Sequence, residues 1–524
     1  MGRSVCIAGM FLIGLFCLAV DAAERHDGDD WPMYGRNLQH TFDNPDSAIT
    51  PNNVAQLRPA WIFPAGDVVS ASPAVVDGVV YTGSWDGYFY ALDARSGQLK
   101  WKFRLDCQTT VVPVPEVCGG PPPGPDPRRF TTPGGIVTAS PAVSDGRVYF
   151  AGGKTVYALK TSDGTLLWKR VICGRPEHRD CASDANDPTQ VLSSPALFDG
   201  RIFFGADTGG VEFEIPYRGG FVALDAKTGR LIWRFEVDRR VDGKGRVDGI
   251  QNRGCGNVWS SPAIDLRLRL VFFGTADCEE QPLPPYHGSV LALDADTGGL
   301  RWVFRPRESE PNKCDFDFGA SPNLIEVANK RYVGIGGKDG TYYLLDRLSG
   351  RPRWATRVVF GGGAGGFFGG AAFDGEHIFS ATAFGDGNIN TQTGLCDPTY
   401  HDPTNPNVAD TFVQEPSMHA FDALTGSILW EANKNQSFGP TTLAGRVIFS
   451  GFTGLSANDL PAIKAYDARV QAQGDRLLSV YPTQVGGRPG MVNSAVVPTR
   501  RMVFFGSGNF FDGSGSGIHA LMLP

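Results

Sequence analysis

Gly256-Asn-Val-Trp259-Ser-Ser-Pro-Ala-Ile-Asp265, Leu270-Val-Phe-Phe-Gly-Thr-Ala-Asp277, Val290-Leu-Ala-Leu-Asp294 and Gly299-Leu-Arg-Trp302 follow one another without a break in pattern. Three β-branched and aromatic runs are separated by turn residues, and a fourth starts at Leu300, which is the pattern of one four-stranded antiparallel unit. The second run ends on an acid, and the first carries a tryptophan near its start.

The unit recurs. An Ala-Leu-Asp-like step followed eight residues later by tryptophan pairs Asp93 with Trp101, Asp225 with Trp233, Asp294 with Trp302, Asp346 with Trp354 and Asp422 with Trp430, and Lys160 and Trp168 keep the spacing. With Trp61 included, seven of the ten tryptophans hold this one position, too regular for scattered core residues. Upstream of each pair lies a turn such as Asp77-Gly78, Asp145-Gly146 or Asp199-Gly200, preceded by a small-residue strand of the type Ala71-Ser-Pro or Ser193-Ser-Pro. Units begin near residues 70, 138, 192, 258, 318, 368, 438 and 492.

The last unit stops at Leu523-Pro524 after three strands, and Pro59-Ala-Trp61-Ile-Phe has no strands before it. Pairing the two closes a ring and leaves no radial edge open. The expected fold is all-β, an eight-bladed propeller of four-stranded blades, in one domain spanning 24–524. A β-sandwich array would leave the split last unit unexplained.

Composition agrees. The chain has 524 residues, 42% hydrophobic and 20% charged, with 67 Gly and 37 Pro, so it buries a large core and turns often. A net charge of -7 without a long basic run gives no electrostatic footprint for nucleic acid. Residues 1–23 combine Arg3, an apolar run over 5–20 and Ala22-Ala23, the layout of a secretory signal peptide, and no other stretch is apolar for long enough to span a membrane. The expected location is periplasmic or secreted.

Eight cysteines follow residue 23, an even number that favours disulfides in an exported chain. Cys107 with Cys118 and Cys173 with Cys181 are the local pairs. Cys255 with Cys278 and Cys314 with Cys396 follow if the rest pair by proximity, and the connectivity stays open. No Cys-x-x-Cys-His occurs, so no covalent c-type haem is expected on this chain. All eight cysteines and the long insertions (105–137, 172–191, 236–257, 306–317, 207–219, 278–288, 384–417) fall in connections that emerge on one face of an up-and-down blade. That built-up face is where loops carry function.

Across nearly the whole of residues 24–524 the repeat, with Ala-Leu-Asp-x-x-Thr-Gly-x-x-x-Trp steps, resembles the pyrroloquinoline-quinone-dependent dehydrogenases. The opening Trp31-Pro-Met-Tyr-Gly35-Arg-Asn resembles their polyvinyl-alcohol-dehydrogenase-like branch. The resemblance implies an alcohol-oxidising quinoprotein with calcium, passing electrons to a separate cytochrome c; a polymeric or secondary alcohol is among the substrates implied. It places Trp259 under the quinone, with Asn257 and Lys338 as further cofactor contacts. It makes Glu214, Asp277 and Asp317 the calcium ligands, with Glu212 the competitor of Glu214, and Asp317 also the catalytic base, with Asp315 as its alternative.

Two departures stand out. The vicinal Cys-Cys pair of many relatives is absent, and Gly365-Gly-Phe-Phe-Gly-Gly370 stands where an Asn-Trp pair is usual. Asp386-x-Asn388-x-Asn390 reads as a polar loop. The other reading of the chain is a cofactor-free propeller scaffold that binds proteins or peptides in the cell envelope, since such scaffolds use similar repeats.

Overall fold

The computed structural model describes residues 28–105, 135–174, 187–208, 219–237, 257–278, 285–306 and 315–524, the last span without 364, 387–388, 391–394, 397–410, 413–414, 455–459 and 472–475. Eight antiparallel sheets follow one another along the chain, and they are the expected blades. Blade 4 is typical: Ala263–Asp265 innermost, then Leu270–Gly274, Val290–Asp294 and Leu300–Phe304 outermost. The two middle strands are buried except at the half-buried Asp294, whereas the outer strand is exposed apart from the buried Trp302 and half-buried Phe304, as expected for a blade sandwiched between neighbours with its last strand at the rim. Among the described residues the only helical turn is the short Val54–Gln56.

The ring closes as the split unit requires. Arg58–Pro64 pairs antiparallel with Gly517–Met522, placing Trp61 opposite Ala520. In seven blades the repeat tryptophan stands across from Ala or Leu two residues before the turn acid or its equivalent. The indole then reaches the next blade. Nε1 of Trp61, Trp101, Trp168, Trp233, Trp302 and Trp354 donates to the carbonyl of Ala94, Thr161, Ala226, Ala295, Arg347 and Ala423, at 2.9–3.1 Å. Each ring packs on a turn glycine of that blade (Gly97 under Trp61, Gly164 under Trp101), where a Cβ would come within 2.7 Å of it. The glycine at this turn is thus demanded by the indole and by a left-handed φ near 70°.

Blade 7 breaks the series. Ser479 pairs with Ala465 in the tryptophan's register, and the gap beside it is a groove of about 490 Å³ between blades 7 and 8. Tyr481 docks there instead, its hydroxyl donating to the Val54 carbonyl.

The Ser-Pro motif has its own role. Each inner strand's serine accepts an N–H from a neighbouring blade: Ala495 to Ser72, Ser72 to Ser140, Ser140 to Ser194, Ser194 to Ser261 and Ser261 to Ser321, at 2.8–3.1 Å.

One arrangement differs from expectation. Residues 31–48 are laced across the inner strands at their Asp-Gly-turn ends. Trp31 exchanges hydrogen bonds with Val75, and the carbonyls of Pro32, Leu38, Gln39, Thr41 and Phe42 accept from Val143, Ile264, Leu324, Phe373 and Leu443. Asp43–Asn44 adds a parallel fifth strand to blade 7, so that blade is not four-stranded. Trp31 and Phe42 are fully buried in the core of this end. The segment occupies the axis opposite the built-up face.

Candidate functional site

Every residue of the site sits at a strand end on the built-up face. Trp259 precedes the inner strand of blade 4, and Asp277 follows its second strand. Asp315 and Asp317 precede the inner strand of blade 5, Asn323–Val327, and Lys338 follows its second strand, Lys330–Gly336. Backbone bonds fix the joint: Lys338 N–H donates to the Asp317 carbonyl at 2.9 Å, and Phe318 N–H to the Thr275 carbonyl at 3.2 Å.

Carboxylate oxygens of Asp277, Asp315 and Asp317 lie within 4.8 Å of one another. The Lys338 ammonium is 2.7 Å from Asp315 Oδ2 and 3.6 Å from Asp317 Oδ1. Trp259 Nε1 donates to Asp317 Oδ2 at 3.1 Å. The ammonium also lies over two rings, 5.4 Å from the centre of Trp259 and 5.2 Å from that of Phe368, which are 5.9 Å from each other. Trp259 itself is half-buried, its indole lying against Gly319, where a Cβ would come 1.7 Å from the ring.

Burial sets the charges. Asp317 is 3% exposed, and desolvation pushes its carboxyl up to about 7, against the pull of Lys338 and with a further push from Asp315. Burial works against the charge of Lys338, but the carboxylates of Asp317 and Asp315 outweigh it and hold its pKa above the ordinary value. Asp315 adopts a left-handed φ of 55°, a conformation Asp tolerates better than most residues.

Three carboxylates facing one ammonium leave an excess of hard anionic oxygen. That donor set fits a calcium-type cation, which favours oxygen ligands and tolerates irregular geometry. The half-buried indole beside it offers a flat surface to a planar ring system.

The sequence-derived residues divide accordingly. Trp259, Asp277, Asp317 and Lys338 come together, and Asp315 joins them as a full member of the acid cluster. Asn257 is 3% exposed, and its Oδ1 accepts from the Thr208 N–H and hydroxyl at 3.2 and 2.8 Å, bonds that tie this stretch to the end of blade 3. Glu212 and Glu214 lie outside the described residues, as does Asn388. Cys173 and Cys278 each take part in a disulfide, and the other six cysteines fall outside the residues whose side chains are described.

Phe368 was not anticipated. It comes from the glycine-rich stretch, which wraps the Lys338 carbonyl: Gly362 N–H donates to it at 2.8 Å, and a Cβ on Gly361 would lie 1.5 Å from it. The signal lay in that run of glycines, which marks a close backbone approach.

Residues 31–359 match the family described as glucose/ethanol/alcohol dehydrogenase, β-propeller domain, of the pyrroloquinoline-quinone (PQQ) type. Residues 286–472 match a second family, described as outer membrane protein assembly factor BamB. A polyvinylalcohol dehydrogenase of Pseudomonas sp is 25% identical over 67% of this chain and 54% of its own length. Quinohemoprotein alcohol dehydrogenase ADH-IIG of Pseudomonas putida is 26% identical over 64% of this chain and 47% of its own. The chain thus spans about half the length of the curated relatives it matches. Among solved structures, quinohemoprotein alcohol dehydrogenase from Comamonas testosteroni superimposes with a TM-score of 0.70 at 20% identity, covering 96% of this chain and 81% of that one, a likeness of fold.

Proposed function

The chain belongs to the glucose/ethanol/alcohol dehydrogenase β-propeller family, and on that footing we propose that it is an exported quinoprotein dehydrogenase that oxidises an alcohol. One observation carries the reading: Asp277, Asp315, Asp317 and Lys338 converge beside a half-buried indole at one end of the axis.

Asp277, Asp315 and Asp317 would hold a calcium ion, with Glu214 a further ligand, and Trp259 would carry the pyrroloquinoline quinone. The quinone supplies, when bound, the two-electron acceptor that alcohol oxidation needs, and calcium supplies Lewis acidity. Asp317 takes the hydroxyl proton at Oδ1, while its Oδ2 is held by the Trp259 N–H. Burial of Asp317 raises the cost of its charged form, which favours uptake of that proton. Lys338 stabilises negative charge that develops beside it, and the rings of Trp259 and Phe368 keep its ammonium away from water. A separate cytochrome c is the proposed electron acceptor and the periplasm or exterior the proposed location, from the leader-like residues 1–23.

Reconstitution with calcium and the quinone tests this reading. Bound-cofactor absorbance together with alcohol-dependent dye reduction is the expected result. Absence of both, with a folded protein, favours the cofactor-free scaffold that the BamB-type match of residues 286–472 represents.

A further inference from the structure

Four residues before the inner strand, at the level of Trp259, seven of the eight blades carry a side chain, from Ser70 in blade 1 to Asn493 in blade 8. Blade 5 alone has a glycine there, Gly319. Its φ lies outside the left-handed region, so the backbone conformation that usually calls for glycine is not the reason. The reason is the indole of the neighbouring blade. A Cβ on Gly319 would meet Cη2, Cζ2 and Cζ3 of Trp259 at 1.7, 1.8 and 2.3 Å, and these are its three nearest atoms.

The ring cannot shift aside without consequence. Its Nε1 donates to Asp317 Oδ2 at 3.1 Å, the Lys338 ammonium lies 5.4 Å from its centre, and the Phe368 ring stands 5.9 Å away at 50°. A rotation large enough to clear a Cβ breaks the bond to Asp317 and changes the face shown to Lys338. Because Trp259 is half-buried, the ring has solvent to turn into, and the strain falls on its pose rather than on the packed core.

We propose that Gly319 is a positioning residue for the indole of Trp259: the space left by its missing side chain lets the ring lie across blade 5 and hold one oxygen of Asp317, leaving the other for the substrate proton. Its effect on turnover passes through Trp259. A small displacement of a group that orients the reacting parts is enough to slow a reaction well beyond what the lost contact itself is worth. The effect on turnover rests on the alcohol-oxidising reading above, whereas the pose of the indole does not.

The test is a double-mutant cycle of Gly319→Ala, Trp259→Leu and the two combined. It is read by fluorine NMR of the full chain labelled with fluorotryptophan, by thermal melts and, on calcium-loaded protein, by quinone titration and alcohol-dependent dye reduction. Ten tryptophans give ten resonances, and the one missing from Trp259→Leu belongs to Trp259. In Gly319→Ala that resonance is expected to move while those of the docking tryptophans stay, and quinone affinity and turnover to fall by roughly tenfold. In the Trp259→Leu background the same substitution is expected to change neither. An unmoved resonance overturns the proposal, as do equal losses in both backgrounds, which would assign Gly319 to some other contact. If Gly319→Ala melts far below wild type, the double variant decides. A melting temperature restored by removing the indole supports the proposal, and one that stays low overturns it. If none of the proteins binds quinone or oxidises an alcohol, the parent reading fails, and the resonance and the melts decide the pose by the same criteria.

Discussion

Asp317 stands apart from its neighbours by the number of influences meeting on one carboxyl. One oxygen is held by the Trp259 N–H, the other faces Lys338 at 3.6 Å, and burial raises the cost of its charge. Asp315 is more exposed and pairs with Lys338 at 2.7 Å. Asp317→Asn keeps size and the indole's acceptor but cannot take a proton. Turnover is therefore expected to fall by roughly 10²–10⁴-fold with quinone still bound, and Asp315→Asn to fall less. Steady-state dye reduction and quinone titration of both variants check this, and wild-type turnover in Asp317→Asn would remove the base from that position. The residue types were legible from the sequence, since acids at strand ends on one face invite a cation. That Asp315 completes the trio was not, because its part depends on a left-handed turn that points it back at Lys338.

Among the elements, the laced segment and the seam between blades 7 and 8 make separate predictions. Asp43 lies in the segment that crosses the axis, where burial pushes its carboxyl up to about 7, partly offset by Arg36. Its folded pKa is thus above the unfolded value near 3.8, so the stability it contributes is complete below that value and is lost as pH rises through about 7. Asp43→Asn removes the penalty. The variant is expected to match wild type at acid pH and to gain roughly 1–3 kcal/mol on the alkaline side of 7, read from urea midpoints at both pH values. A gain of equal size at both would show that Asp43 titrates normally. At the seam, Ser479 stands in the register that tryptophan holds in every other blade, beside a groove of about 490 Å³. Ser479→Trp fills part of that groove with apolar area and is expected to raise stability by roughly 1–3 kcal/mol, seen as a higher melting temperature. A lower one would mean that Tyr481 and Val54 already close the seam tightly.

At the scale of the whole molecule, closure depends on one strand from near the start of the chain. Deleting residues 24–65 removes Arg58–Pro64 and the laced segment together, baring the edge strand Gly517–Met522 and the inner ends of the blades. Aggregation is expected, because an open, flat, partly apolar edge is a template for pairing with other chains. Light scattering and a thermal melt check this, and a soluble truncation with a sharp transition would show that the ring holds without its closing strand. With the axis occupied by residues 31–44 at the other end, the built-up face is the approach to the acid cluster.

The blade count, the strand order within each blade and the closing strand were all determined by the sequence. Each is written in a local pattern: period-two alternation, a turn pair, and an indole set eight residues after a turn acid. The same patterns located the acids, since strand ends can be counted from the turns. Only the tertiary structure decided which ends meet. Trp259 and Asp277 of blade 4, Asp315, Asp317 and Lys338 of blade 5 and Phe368 of blade 6 gather because the ring brings consecutive blades to one axis and a glycine-rich turn bends around the Lys338 carbonyl. Asn257 turning to Thr208 and the lacing of 31–48 were likewise settled there. Local pattern sets a residue's place in its own strand, whereas its neighbours across the axis depend on how several blades pack against each other, and no single stretch of sequence encodes that.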